Sequence, residues 1–233
     1  MTFNQLKMAL YSIVITNYYG LRLKNAKNLQ EKKSLRIEYA QKLLNKLNIQ
    51  IEVINEEKLP KDGQYLLISN HRTIIDPLIV EIATKNSKVF GYWISKKELY
   101  NSLFFGLFVR NGGSVLLDRD ATQMNGFFKD VKECVKEGNS IYMFPEGTRN
   151  KSDAPIGKFK EGAQIIAIKN RLPILPVFIH ARADATLMSA IKSSSQRRTI
   201  SIEIGDIIDH KDKGCSIQES FKKQFNIKDS KAE

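Results

Sequence analysis

The chain is poor in several things, and each shortage closes off a class of protein. Two cysteines, Cys134 and Cys215, are too few and too far apart for a disulfide framework or a zinc site. No apolar run reaches membrane-spanning length. The longest uncharged stretch of the N-terminal region, Met8 to Leu21, would extend only ~21 Å as a helix against a hydrocarbon core of ~30 Å. No small-residue cleavage site follows it, so a signal peptide is not expected. Internal repeats, low-complexity tracts and convincing linkers are also missing. With 42% hydrophobic and 27% charged residues in 233, the composition excludes a disordered or collagen-like chain and fits one α/β domain with extras.

Acidic residues are the last shortage. Against 37 Lys and Arg stand 25 Asp and Glu, a net charge of +12, which favours an anionic partner. Residues 1–50 hold +7 of that total through Lys7, Arg22, Lys24, Lys27, Lys32, Lys33, Arg36, Lys42 and Lys46, offset by Glu31 and Glu38. The aromatics Phe3, Tyr11, Tyr18 and Tyr19 precede the basic run instead of alternating with it, an order that suits a membrane surface and not nucleic acid. Gln5, Ser12 and Thr16 draw a narrow polar stripe on an otherwise apolar first helix. A second helix places Ile37, Ala40, Leu44 and Leu47 on one face and Lys32, Lys33, Arg36, Lys42 and Lys46 largely off it. Apolar helix followed by basic amphipathic helix reads as an interfacial anchor on an anionic leaflet, with a hairpin packed on the protein's own core as the alternative. The expected organisation is a membrane-anchoring segment over 1–50 and an α/β catalytic domain over 51–233. The protein would then be monotopic on the cytoplasmic face of a membrane.

From about residue 50 short strands alternate with helices. Strands are expected at Gln64–Ser69, Val89–Ser95, Gly113–Leu117, Ser140–Phe144, Ile174–His180 and Thr199–Gly205. Helices are expected at Pro77–Thr84, Lys96–Phe108, Ala121–Glu137, Lys160–Lys169, Ala185–Lys192 and Ile217–Gln224. This rhythm predicts a mixed, mostly parallel sheet flanked by helices on both faces.

Chemistry gathers at two strand ends, where α/β sheets place their sites. The first is Asn70-His71-Arg72-Thr73-Ile74-Ile75-Asp76-Pro77. Asp-Pro reads as an N-cap and first helical position, leaving 70–75 as a turn. Through that turn Asp76 can reach the His71 ring, fix its tautomer and leave the other nitrogen free to take a proton from a hydroxyl. The second is Pro145-Glu146-Gly147-Thr148-Arg149. Here Gly147 frees the backbone to approach a ligand, Thr148 offers a hydroxyl and Arg149 a fork matched to phosphate oxygens. A polar turn with a Glu146–Arg149 ion pair is the plainer possibility.

Four ordered blocks carry a resemblance. Asn70-His71-x4-Asp76, Gly113-Ser114-Val115-Leu116-Leu117-Asp118-Arg119, Phe144-Pro145-Glu146-Gly147-Thr148-Arg149 and Leu172-Pro173-Ile174-Leu175-Pro176-Val177 resemble those of the glycerolipid acyltransferase family. The similarity is closest to its 1-acylglycerol-3-phosphate (lysophosphatidic acid) acyltransferases. Ser95–Leu99 and Phe159–Gly162 look like its weaker intermediate signatures. The resemblance implies transfer of a fatty acyl group from acyl-CoA or acyl-acyl carrier protein to the sn-2 hydroxyl of 1-acylglycerol-3-phosphate. His71 would be the general base and Asp76 its orienting partner. Arg149 with Glu146, Gly147 and Thr148 would hold the acceptor phosphate, joined by Arg119 and Lys96. A thioester is already activated, so neither cysteine is needed as a nucleophile, and no motif calls for a metal or cofactor. The sequence departs from the family at Asn101–Gly106, which lacks the usual proline, and at the apolar Ile74-Ile75. Two alternatives remain: another acceptor (a different lysophospholipid, glycerol-3-phosphate or an amino-lipid), or a non-enzymatic basic membrane or nucleic-acid binder.

Overall fold

The computed structural model describes residues 3–118, 124–180, 182–212 and 214–228. The chain opens with two helices, α1 (Phe3–Lys24) and α2 (Leu29–Lys46), the latter started by Asn28, whose side chain accepts the Glu31 N–H at 2.9 Å. Seven strands follow: β1 (Ile49–Ile54), β2 (Leu66–Ser69), β3 (Gly91–Lys96), β4 (Ser114–Leu117), β5 (Ser140–Met143), β6 (Ile174–Ile179) and β7 (Arg198–Ile204). Between them lie α3 (Asp76–Ala83), α4 (Gly106–Asn111), α5 (Asn125–Lys136), α6 (Gly162–Asn170) and α7 (Ala183–Lys192), with α8 (Ile217–Gln224) last. They form one sheet in the order β1-β7-β6-β2-β5-β3-β4, parallel throughout except where β6 meets β7. The mixed, mostly parallel sheet expected from the alternation is therefore what the chain forms. β1 was not anticipated, although Ile49, Ile51 and Val53 alternate with polar residues along it.

Alternation through each strand feeds two cores. Leu67, Tyr142, Val177 and Ile202 point to the face covered by α1, α2, α3 and α7, with Tyr19, Leu44 and Ile79. Leu66, Ile68, Ile141 and Ile174 point to the face covered by α5, α6 and α8, with Val131, Ile166 and Phe221. Cys134 lies in this second core, where burial pushes its thiol up to about 12.

Two expectations need correction. The helix expected over Lys96–Phe108 is broken: β3 continues through Lys96, a 3-10 turn covers Lys97–Asn101, and α4 begins only at Gly106. The Ser102 hydroxyl accepts the N–H groups of Phe104 and Phe105, both at 3.2 Å, and so offers the backbone a local alternative to helix. The basic face assigned to α2 is also partly internal. Lys33 and Arg36 are buried. The Lys33 ammonium donates to the Ser87 and Val89 carbonyls, and burial draws it below the usual lysine range. Arg36 forms an ion pair with buried Glu81 and donates to the Gly91 carbonyl at 2.7 Å. These two charges bolt α2 to the sheet; they are not offered to a surface.

The first helix is apolar on two sides, since Met8, Tyr11, Ile15, Tyr19 and Leu23 pack on the core. Thr16, from the polar stripe, is buried and shares a 2.8 Å hydrogen bond with the Tyr39 hydroxyl on α2. Phe3, Leu6, Leu10, Ile13, Val14 and Leu21 are exposed, Val14 at 69%. Among the described residues no helix is long and apolar enough to cross a membrane.

Candidate active site

Because β2, β5, β3 and β6 run in the same direction, the segments that leave their C-terminal ends converge on one edge of the sheet. Asn70 fixes the end of β2. Its side-chain amide donates to the Ile179 carbonyl at 3.0 Å and accepts the Ile179 N–H at 2.8 Å, extending the pairing with β6. The chain then turns through 70–75 into α3.

Asp76 opens α3, but its carboxylate does not cap that helix as the sequence suggests. It turns back over the loop. Oδ2 accepts the Arg72 N–H at 2.6 Å and the Thr73 N–H at 2.8 Å, and lies 2.8 Å from His71 Nδ1. Asp76 is 1% exposed. A carboxylate oxygen already accepting two N–H bonds acts as acceptor toward the ring as well, so Nδ1 donates and Nε2 keeps its lone pair. The ring itself lies flat on Phe144, with centroids 4.0 Å apart and planes within 10°.

Glu146 is buried, and both of its oxygens are occupied by backbone. Oε1 accepts the His71 N–H at 2.7 Å and Oε2 the Gly157 N–H at 2.8 Å. Burial holds its carboxyl above the usual carboxylate range, a shift opposed by those two bonds and by nearby His71 and Arg72. Expected among the phosphate ligands, Glu146 is instead a brace between the two motifs, and the Glu146–Arg149 ion pair is not formed. A side chain on Gly157 would have no room: its Cβ would sit 2.5 Å from Glu146 Oε2. Gly147 adopts φ +71°, a conformation that glycine reaches without strain, and this turn carries the chain out to Thr148 and Arg149.

Thr148 and Arg149 are exposed, and the Arg149 guanidinium has no hydrogen-bond or ion-pair partner among the described residues. They stand beside the pair, since the next residue, Asn150, donates its N–H to the His71 carbonyl at 2.6 Å. Lys96 is exposed at the end of β3, on the same sheet edge. Arg119 lies outside the described residues.

Arg72 was not singled out from the sequence. It is buried, and its guanidinium donates to the Ser152 carbonyl at 2.9 Å and to that of Ala154, which clamps the loop beyond Arg149. Its position inside the first motif was visible, but its acceptors are backbone carbonyls 80 and 82 residues away, which no side-chain pattern reveals.

The fold and site together define an α/β protein that carries, at the strand ends of a sheet with helices on both faces, a histidine–aspartate pair beside an exposed arginine. The Acyltransferase family model matches residues 50–180, and the chain belongs to that family. It is 29% identical over 171 residues to the 1-acyl-sn-glycerol-3-phosphate acyltransferase of Streptococcus pneumoniae, covering 73% of this chain and 60% of the relative. Against the protein of the same description from Helicobacter pylori it is 35% identical over 129 residues, covering 54% and 53%. The chain thus spans about half to three-fifths of the length of these relatives. The crystal structure of the 1-acyl-sn-glycerophosphate (LPA) acyltransferase from Thermotoga maritima shares the fold, with a TM-score of 0.68 at 21% identity over 96% of this chain and 92% of that one.

Proposed function

We propose that this protein transfers a fatty acyl group from an acyl thioester, acyl-CoA or acyl-acyl carrier protein, to the sn-2 hydroxyl of 1-acylglycerol-3-phosphate, giving phosphatidic acid. The observation that carries the reading is the 2.8 Å contact between His71 Nδ1 and a buried Asp76, beside the turn that presents Arg149. His71 Nε2 removes the hydroxyl proton as the oxygen attacks the thioester carbonyl. Asp76 holds the tautomer and stabilises the imidazolium. Collapse of the tetrahedral intermediate breaks the carbon–sulfur bond, and the departing thiolate takes the proton from His71. Neither Cys134 nor Cys215 has a part in this sequence. Arg149 and Thr148 contact the acceptor phosphate, with Lys96 and Arg119 adding positive charge, while Glu146 and Gly147 shape the turn.

The lysolipid is met at a membrane surface, on which the protein lies without crossing it, at the cytoplasmic face. The outward apolar stripe of α1 supports this placement. So do Leu103, 94% exposed and carried next to α1 by the hydrogen bond from Asn17 Nδ2 to its carbonyl at 3.1 Å, and Ile74, exposed in the His71 turn itself. The anionic leaflet is chosen on the exposed basic residues of the first 46 residues, among them Lys24, Lys27, Lys42 and Lys46.

An acyl-transfer assay that compares lysophosphatidic acid, glycerol-3-phosphate and other lysolipids with both donors tests the chemistry. Lysophosphatidic acid is expected to be preferred, and Arg149→Ala to raise its KM. Equal use of acceptors lacking phosphate would overturn the assignment of Arg149. For the surface, Leu10→Glu combined with Val14→Glu should shift the protein from anionic vesicles to the supernatant in a sedimentation assay, and unchanged partitioning would remove α1 from the contact.

A further inference from the structure

The imidazole of His71 is held in two ways, and only one of them is the aspartate. Its face rests on Phe144, and Phe144 also stacks on Trp93, with centroids 5.1 Å apart and planes at 25°. Trp93 meets the Tyr142 ring edge to face at 5.4 Å. The far end of this column is pinned. The Trp93 indole N–H donates to Glu81 Oε1 at 2.8 Å, and that carboxylate is the one paired with buried Arg36. The stack therefore runs from the reacting ring to an ion pair that α2 and α3 hold inside the protein.

A single hydrogen bond at Nδ1 fixes one atom of a ring and leaves it free to tilt about that contact. A flat contact removes the tilt. Between them the two determine where the Nε2 lone pair points. The contact also responds to charge. An aromatic face attracts a cation more strongly than a neutral ring, so it tightens as the imidazole becomes imidazolium. An interaction that grows toward the transition state raises kcat, whereas one equal in both states does not.

We propose that Phe144, backed by Trp93, is a positioning residue for His71, setting the tilt of the imidazole and favouring its cationic form. This rests on His71 being the base. Arg36 and Glu81 serve the same column by holding the indole, which gives a buried charge pair far from solvent a role in the site.

The test uses Phe144→Leu, Phe144→Tyr, Trp93→Leu and Trp93→Phe in the full chain. Phe144→Leu should lower kcat about tenfold, the rate equivalent of one cation–π contact, with the KM for lysophosphatidic acid within about twofold. Phe144→Tyr should recover most of that loss. Trp93→Leu should produce a smaller loss of the same kind, recovered by Trp93→Phe. A second arm needs no substrate. In 1H–13C spectra the His71 ring protons, assigned by their disappearance in His71→Ala, should lie upfield in the parent and move downfield in Phe144→Leu as the ring current is lost. Loss of transfer in His71→Ala with an unchanged kcat in Phe144→Leu overturns this proposal alone. So does an unmoved ring-proton signal, or a loss shared equally by the leucine and tyrosine variants. Retained transfer in His71→Ala overturns the assignment of the base, and this proposal with it.

Discussion

Two histidines in this protein sit 2.8 Å from a carboxylate, His71 with Asp76 and His180 with Glu203. The pairs differ in everything but that distance. Asp76 is sealed from water and tied by two backbone N–H groups, while Glu203 is partly exposed and accepts from the Asn55 side chain, at 3.1 Å. His71 commits Nδ1 and keeps Nε2, the nitrogen that projects away from its own backbone; His180 commits Nε2. The ring of His71 lies flat on Phe144, whereas that of His180 meets Phe178 nearly edge to face, at 73°. What separates the two pairs is the immobility of the acid and the nitrogen left over, not the short contact they share.

The sharpest way to break this comparison is to remove each ring. His71→Ala should lower kcat about 10²–10⁴-fold, the usual range for a lost general base, while His180→Ala should stay within about threefold; a reversed order would move the chemistry to β6. Replacing the acids comes next. Asp76→Asn should lower kcat about 10–100-fold through the lost charge. It should also cost about 1–3 kcal/mol in urea unfolding, because one carboxylate oxygen, Oδ1, is buried without a partner and an amide N–H₂ there would find no acceptor. Glu203→Gln should leave transfer unchanged.

Glu146→Gln probes the brace. One of its two backbone N–H partners would then face an amide N–H₂, a loss of about 1–3 kcal/mol. Because burial raises the carboxyl of Glu146 in the folded state, the stability this group contributes is full below the ordinary carboxylate range and declines as pH rises through its raised midpoint. Denaturation midpoints of the variant should lack that decline. The smallest effect is expected from alkylation at pH 8. Cys134 is buried and remains a thiol, so iodoacetamide should label exposed Cys215 alone, by mass spectrometry, without loss of transfer.

What the sequence disclosed follows from how far apart the interacting residues lie along it. The strand ends and the His71–Asp76 pair were legible, since period-two alternation marks strands and Pro77 forces a turn within which five residues can close on themselves. Glu146 was misassigned because adjacency groups it with Arg149, whereas the turn at Gly147 sends the two in different directions. Lys33 and Arg36 showed their charge but not their acceptors, which are carbonyls and a carboxylate at least 45 residues away. Trp93 showed no partner either, because Glu81 comes from α3 and the rings of Tyr142 and Phe144 from β5 and the residue after it. The polar stripe of α1 was traced, but nothing in it showed that Thr16 would be buried against the Tyr39 hydroxyl.

The ion pair between Arg36 and Glu81 has a practical corollary. A shortened chain beginning after α2, the natural choice for anyone wanting a better-behaved sample, would strand the Glu81 carboxylate inside the fold. Losing one member of such a pair costs about 3–5 kcal/mol, a large share of what a domain this size has to spare. Better handling is therefore to be sought by repainting the outer side of α1 with polar residues, leaving the hairpin in place.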